Sequence, residues 1–143
     1  MRKISLNLLL LAVSLSVHCA IARAQDVFII ANKDFADSQI TSAELRSIFT
    51  GVRSRLSDGT RVIPVTLKGG PVHEVFLKNY LQQNPDEFRI CWRKAVFTGK
   101  GSMIRDFSTE AALFEYVSTV PGAVGYVSRI TDPNSVKILT VIR

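Results

Sequence analysis

A strand that runs into two glycines, a proline and then a helix limits how this chain can fold more than any other feature, and Arg61 to Leu81 has that form. Val62, Ile63, Val65 and Leu67 make an apolar, mostly β-branched run suited to a buried strand. Gly69, Gly70 and Pro71 break the extended backbone. Val72, Val75, Phe76, Asn79 and Tyr80 then recur at helical spacing, and Leu77 and Leu81 widen the stripe. Pro71 suits a first helical position, where a missing N–H costs nothing.

This junction has a chemical consequence. The first N–H groups of a helix lack internal partners, and the helix dipole adds partial positive charge there. Gly69 and Gly70 let a ligand approach the backbone, and Lys68 adds a full charge beside them. Lys68, Gly69, Gly70, Val72 and His73 are therefore candidate residues for holding a small anion. The same glycines also serve a plain strand-to-helix turn for backbone reasons alone.

Met1 to Ala24 reads as an export signal. Arg2 and Lys3 precede an apolar run from Leu8 to Val17, and Ala22-Arg23-Ala24 has the small-x-small form of a cleavage site. The run is too short for a membrane span, and His18 is too bulky for a lipid attachment signal at Cys19. The expected mature chain starts at Gln25, forms one domain over residues 25–143, and is periplasmic or secreted without stable membrane insertion. The whole chain has 18 basic and 12 acidic residues, net +6. Arg2, Lys3 and Arg23 leave with the signal, so the mature chain has 15 basic against 12 acidic residues, net +3. That modest excess suits a small anion, whereas dispersed charge and the lack of any recognition motif argue against nucleic acid.

The remaining chain alternates strands and helices, which makes the class α/β. Val27 to Ala31 is a short apolar run, read as a strand covered on both faces. Thr41 and Glu44 have capping-box spacing ahead of the stripe Leu45, Ile48 and Phe49, which Gly51 ends. Asp58-Gly59 marks a turn. Asn84-Pro85 starts a helix whose buried face is read as Phe88, Cys91, Trp92, Ala95 and Val96. Thr98, Gly99 and Lys100 open a cationic, glycine-bearing loop, a possible secondary anion contact that lacks Walker spacing. Ser108 is read as the cap of a fourth helix, which Pro121-Gly122 breaks, and strands follow at Ala123–Val127 and Val136–Ile142.

Signatures of catalysis are thin. His73 is the one histidine left after cleavage, with no second histidine at zinc-helix spacing and no nucleophile elbow. Cys91 has no disulfide partner in the mature chain and reads as a small hydrophobe. No metal, cofactor or enzymatic role is expected.

Several motifs, taken in order, resemble the phosphate-binding proteins of ABC transporters. They are Leu45-Arg46-Ser47-Ile48-Phe49-Thr50-Gly51, Arg61-Val62-Ile63-Pro64-Val65, Phe76-Leu77 with Tyr80-Leu81, and Pro121-Gly122-Ala123-Val124-Gly125-Tyr126-Val127. Phe97-Thr98-Gly99-Lys100-Gly101 is similar to a segment of short secreted members of that superfamily. The resemblance implies a single periplasmic-binding-protein-like lobe of type II, with a mixed sheet and about four helices, where full-length relatives clamp phosphate between two lobes. It further implies a non-catalytic, phosphate-type ligand, a transporter permease as partner, and a second copy as one way to close the cleft. The family's Ser-Gly-Thr-Thr turn aligns approximately with Gly69 to Val72, so its hydroxyls are replaced by Gly69, Pro71 and Val72, and Pro71 removes a backbone donor. That loss favours the other expectation, an envelope interaction module that kept the fold without the ligand.

Overall fold

The computed structural model describes residues 24–100 and 103–143. The export signal through Arg23 and residues Gly101 and Ser102 of the cationic loop lie outside the described residues. Six strands form one sheet in the order β2-β6-β1-β5-β3-β4. They are β1 (Phe28–Asn32), β2 (Gln39–Thr41), β3 (Ile63–Leu67), β4 (Arg105–Phe107), β5 (Ala123–Val127) and β6 (Val136–Ile142). β1 runs antiparallel to both its neighbours, β5 and β6. The pairs β2–β6, β3–β4 and β3–β5 are parallel, so the sheet is mixed.

Four helices cover the sheet: α1 (Ser42–Phe49), α2 (Pro71–Phe76), α3 (Pro85–Phe97) and α4 (Glu110–Thr119). Alternation along β5 assigns the layers, because successive side chains of a strand point to opposite faces. Gly125 faces α4, where an added Cβ would meet Leu113 and Val117. Its neighbour Tyr126 faces the other side, stacked on Phe76 of α2 at 3.8 Å between ring centres and 8° between planes. All five residues of β5 are buried, as a strand covered on both faces requires.

Local sequence explains the helix starts. Thr41 and Glu44 form the expected capping box on α1, and Asn84 and Glu87 form a second one on α3, with Pro85 in its first turn. α3 is then tied to α1 by the Trp92 Nε1–H, which donates to the Phe49 carbonyl at 2.8 Å. Trp92 is thus a core residue with a satisfied polar tip. Asn32 is buried at the end of β1 and donates from Nδ2 to the carbonyls of Val117 (3.0 Å) and Ser118 (3.2 Å), which fixes the last turn of α4.

The structure differs from the sequence reading in several places. The first strand is Phe28–Asn32, one residue later than read. Thr109, not Ser108, caps α4, because its hydroxyl reaches the Ala112 N–H. The buried face of α3 is narrower than the periodicity implied: Phe88, Trp92 and Ala95 are buried, Cys91 is half-buried and Val96 is 41% exposed. α2 does not continue as a regular helix; it passes into a π-helical turn, Leu77–Leu81, which ends at Gln82 in the left-handed region (φ 51°). That shift in phase keeps Leu81 buried alongside Phe76, five residues earlier, while Asn79 is exposed. The three-residue strands β2 and β4 carry too few residues to show an alternating pattern. Among the described residues no helix is long and apolar enough to cross a membrane.

Close packing at Gly125 gives a direct test. An added Cβ would sit 2.7 Å from Leu113 Cδ2 and 3.1 Å from Val65 Cγ2. Gly125→Ala is expected to cost about 1–3 kcal/mol by overpacking. Gly69→Ala, with open space around it, should stay within about 0.5 kcal/mol of the parent. Urea unfolding of both variants checks the contrast.

Candidate functional site

The site begins where β3 ends. The Lys68 N–H donates to the Phe107 carbonyl at 2.9 Å, which fixes the strand end against β4. Gly70 then takes φ 94° and ψ 174°, backbone angles that disfavour any side chain, and serves as the N-cap of α2. Pro71 occupies the first turn, and no side chain caps the helix. Glu74 N–H to Gly70 O, at 3.1 Å, is the first helical bond, so the N–H groups of Val72 and His73 stay open among the described residues. Lys68, Gly69 and Gly70 are exposed around them. The Val72 and His73 side chains are buried, so these two residues can present only their backbone to a ligand at the turn.

Beneath the turn lies a polar network that the sequence did not announce. Thr66 of β3 and Tyr126 of β5 stand side by side, and His73 of α2 packs onto them. The Tyr126 hydroxyl is 2.7 Å from Thr66 Oγ1 and 2.5 Å from His73 Nδ1, and it accepts from the Leu67 N–H at 3.1 Å. Two proton arrangements use every short contact. In one, Leu67 N–H and Thr66 O–H donate to Tyr126, and Tyr126 O–H donates to His73 Nδ1, which leaves the ring proton on Nε2. In the other, Leu67 N–H and His73 Nδ1–H donate to Tyr126, Tyr126 O–H donates to Thr66 Oγ1, and Thr66 O–H donates to the Leu67 carbonyl at 3.3 Å. Burial favours a neutral ring in both, pushing the His73 pKa below its ordinary value and the Tyr126 pKa up to about 12.

Nε2 has no partner among the described residues, although His73 is only 4% exposed. The ring lines a cleft of about 220 Å³ between α3 and the β3–β4 edge. Phe88, Trp92 and Ile104 form its apolar walls, and Lys68 and Asp106 stand among its polar residues. Asp106 is opposite Thr66 in the β3–β4 register and so shares its face. Arg89 also lines the cleft but is paired with Asp86 on its own helix.

The candidates from the sequence therefore fall into three groups. Lys68 and His73 meet in the cleft. Gly69, Gly70 and the backbone of Val72 form the turn above it. Thr98, Gly99 and Lys100 lie elsewhere: Thr98 closes α3 by donating to the Lys94 carbonyl at 2.9 Å, and Lys100 lines a separate groove behind Trp92 and Ile104. Thr66, Tyr126 and Asp106 were missed. A tyrosine in an otherwise apolar strand was the available signal for Tyr126, because a buried hydroxyl needs a partner. Asp106 and Thr66 gave none. Among the described residues no cluster of His, Cys, Asp and Glu could hold a metal ion.

No family model and no curated protein matches the chain. Solved structures do. A phosphate transport receptor of the ABC type from Vibrio cholerae matches with TM-score 0.57 at 13% identity, over 80% of this chain and 45% of that one. A Clostridium perfringens protein solved with bound phosphate matches with TM-score 0.60 at 14% identity, over 80% and 44%. PstS from Borrelia burgdorferi matches with TM-score 0.56 at 14% identity, over 80% and 46%. The likeness establishes the fold, an α/β lobe of the periplasmic-binding-protein kind. The chain spans less than half the length of each of these proteins.

The network makes a pH prediction. An unfolded histidine takes up a proton near pH 6.5, whereas the folded state holds His73 neutral to a lower pH. The unfolded state then binds more protons, so stability is full above about pH 6.5 and falls as pH drops below it. The carboxyls of Glu44, Asp58 and Asp132 are held below ordinary values of 4.5, 3.8 and 3.8, so their contributions fade only at lower pH. The urea midpoint should fall between pH 7.5 and 5.5, more than in a His73→Asn variant; equal midpoints at the two pH values would contradict it. Tyr126→Phe leaves the Leu67 N–H without its partner and His73 Nδ1 with only the 3.3 Å contact to Thr66 Oγ1, and should cost about 1–3 kcal/mol.

Proposed function

We propose that this protein is a non-catalytic binding module of the phosphate-receptor type, which takes a small oxyanion such as inorganic phosphate at the turn Lys68–His73. One observation carries the reading: the N–H groups of Val72 and His73, without a partner among the described residues, follow the exposed Lys68 where a glycine of positive φ starts a helix. A fold shared with a protein solved with bound phosphate supports it. In this reading residues 25–143 are one lobe, exported after removal of the leader. The donors of a second lobe come from a second copy or from a partner such as a transporter permease, because a lone half-site leaves the anion hydrated.

One observation favours a second reading, an envelope interaction module without a ligand. The outer face of α3 exposes Ile90 (58%) and Phe97 (84%), with Arg93 and Lys94 alongside. Apolar residues set among cations that have no ion-pair partner among the described residues suit a protein contact.

Calorimetric titration separates the two. Phosphate should bind, and Lys68→Ala should weaken it by about 1.5 kcal/mol, roughly tenfold. Absence of heat at millimolar phosphate from folded protein would overturn the anion reading and leave the interaction module.

A further inference from the structure

The cleft asks for more than inorganic phosphate supplies. Its volume, about 220 Å³, is roughly that of seven waters at about 30 Å³ each. Phe88, Trp92 and Ile104 wall it with apolar surface that an inorganic ion cannot use. His73 is buried with one ring nitrogen engaged and the other unpartnered in the cleft. With the ring proton on Nε2, this atom can donate to a ligand acceptor in the cleft. Lys68 stands in the same cleft and supplies the charge. Asp106 adds a negative group at the edge, which opposes a dianion more than a monoanion.

We propose that the ligand of this cleft is a small organic monoanion, a carboxylate on an aromatic or branched apolar body. The carboxylate accepts from Lys68 Nζ and His73 Nε2–H, and the body lies against Phe88, Trp92 and Ile104. This rests on the anion-binding reading of the turn and narrows its ligand class.

The protein carries its own reporter, because its single tryptophan, Trp92, lines the cleft. Benzoate, benzyl alcohol and inorganic phosphate are titrated while Trp92 emission is followed, with calorimetry of each in parallel. Benzoate should change the emission saturably and bind at least about tenfold more tightly than either other probe. Lys68→Ala, an exposed substitution that leaves the core intact, should weaken benzoate about tenfold. His73→Gln should weaken it too, with folding checked by circular dichroism. Benzyl alcohol equal to benzoate, or benzoate unaffected by Lys68→Ala, would overturn the proposal. Phosphate heat with a silent benzoate arm would overturn it and leave the anion reading standing. Silence with all three probes would overturn both.

Discussion

The hydroxyl of Tyr126 is the point on which three elements must agree. It accepts from the backbone of β3 at Leu67, contacts the side chain of Thr66, and holds the ring of His73 on α2. Its ring, meanwhile, stacks on Phe76 and packs near Phe49 of α1. Aromatic burial drives these elements together, but burial alone would tolerate rotation or sliding of α2 along the sheet. The hydrogen bonds do not, because each broken one strands a polar group out of water. The direction of α2, and so the place where its open N–H groups point, follows from that network.

The same accounting explains why one atom is left over. Three polar groups meet at the Tyr126 hydroxyl, and their contacts leave one ring nitrogen of His73 over. The His73 ring lines the cleft that also holds Lys68 and Asp106. Structure and chemistry are thus coupled through one side chain. His73 closes the network with Nδ1 and offers Nε2 to whatever occupies the cleft. The described residues, which match less than half of each structural neighbour, line this cleft themselves.

Much of the fold was legible in the sequence, because its signals are local. The capping boxes at Thr41 and Asn84, the proline at the start of α2, and the turns at Gly51, Gly59 and Gly122 act within a few residues. The turn at Lys68–His73 was legible for the same reason. What escaped depends on distant partners. Asn32 binds carbonyls 85 and 86 residues away, and Tyr126 meets His73 across 53 residues. The edge strands β2 and β4 form because a neighbour offers them a ladder, not because three residues have a pattern. The π-helical turn after α2 likewise answers to packing: Phe76 and Leu81, five residues apart, are both buried, and a regular 3.6-residue helix would set them about 140° apart.

The central claim is that the network holds His73 neutral, with its proton on Nε2. Nitrogen-15 NMR of the imidazole ring reads this directly, because the two nitrogens of a neutral ring differ strongly in shift according to which one carries the proton. The account predicts a protonated Nε2 and a bare, hydrogen-bonded Nδ1 at neutral pH, with this pattern persisting below the ordinary histidine pKa of about 6.5. A ring protonated on Nδ1, or averaged between tautomers and titrating at its ordinary value, would contradict it.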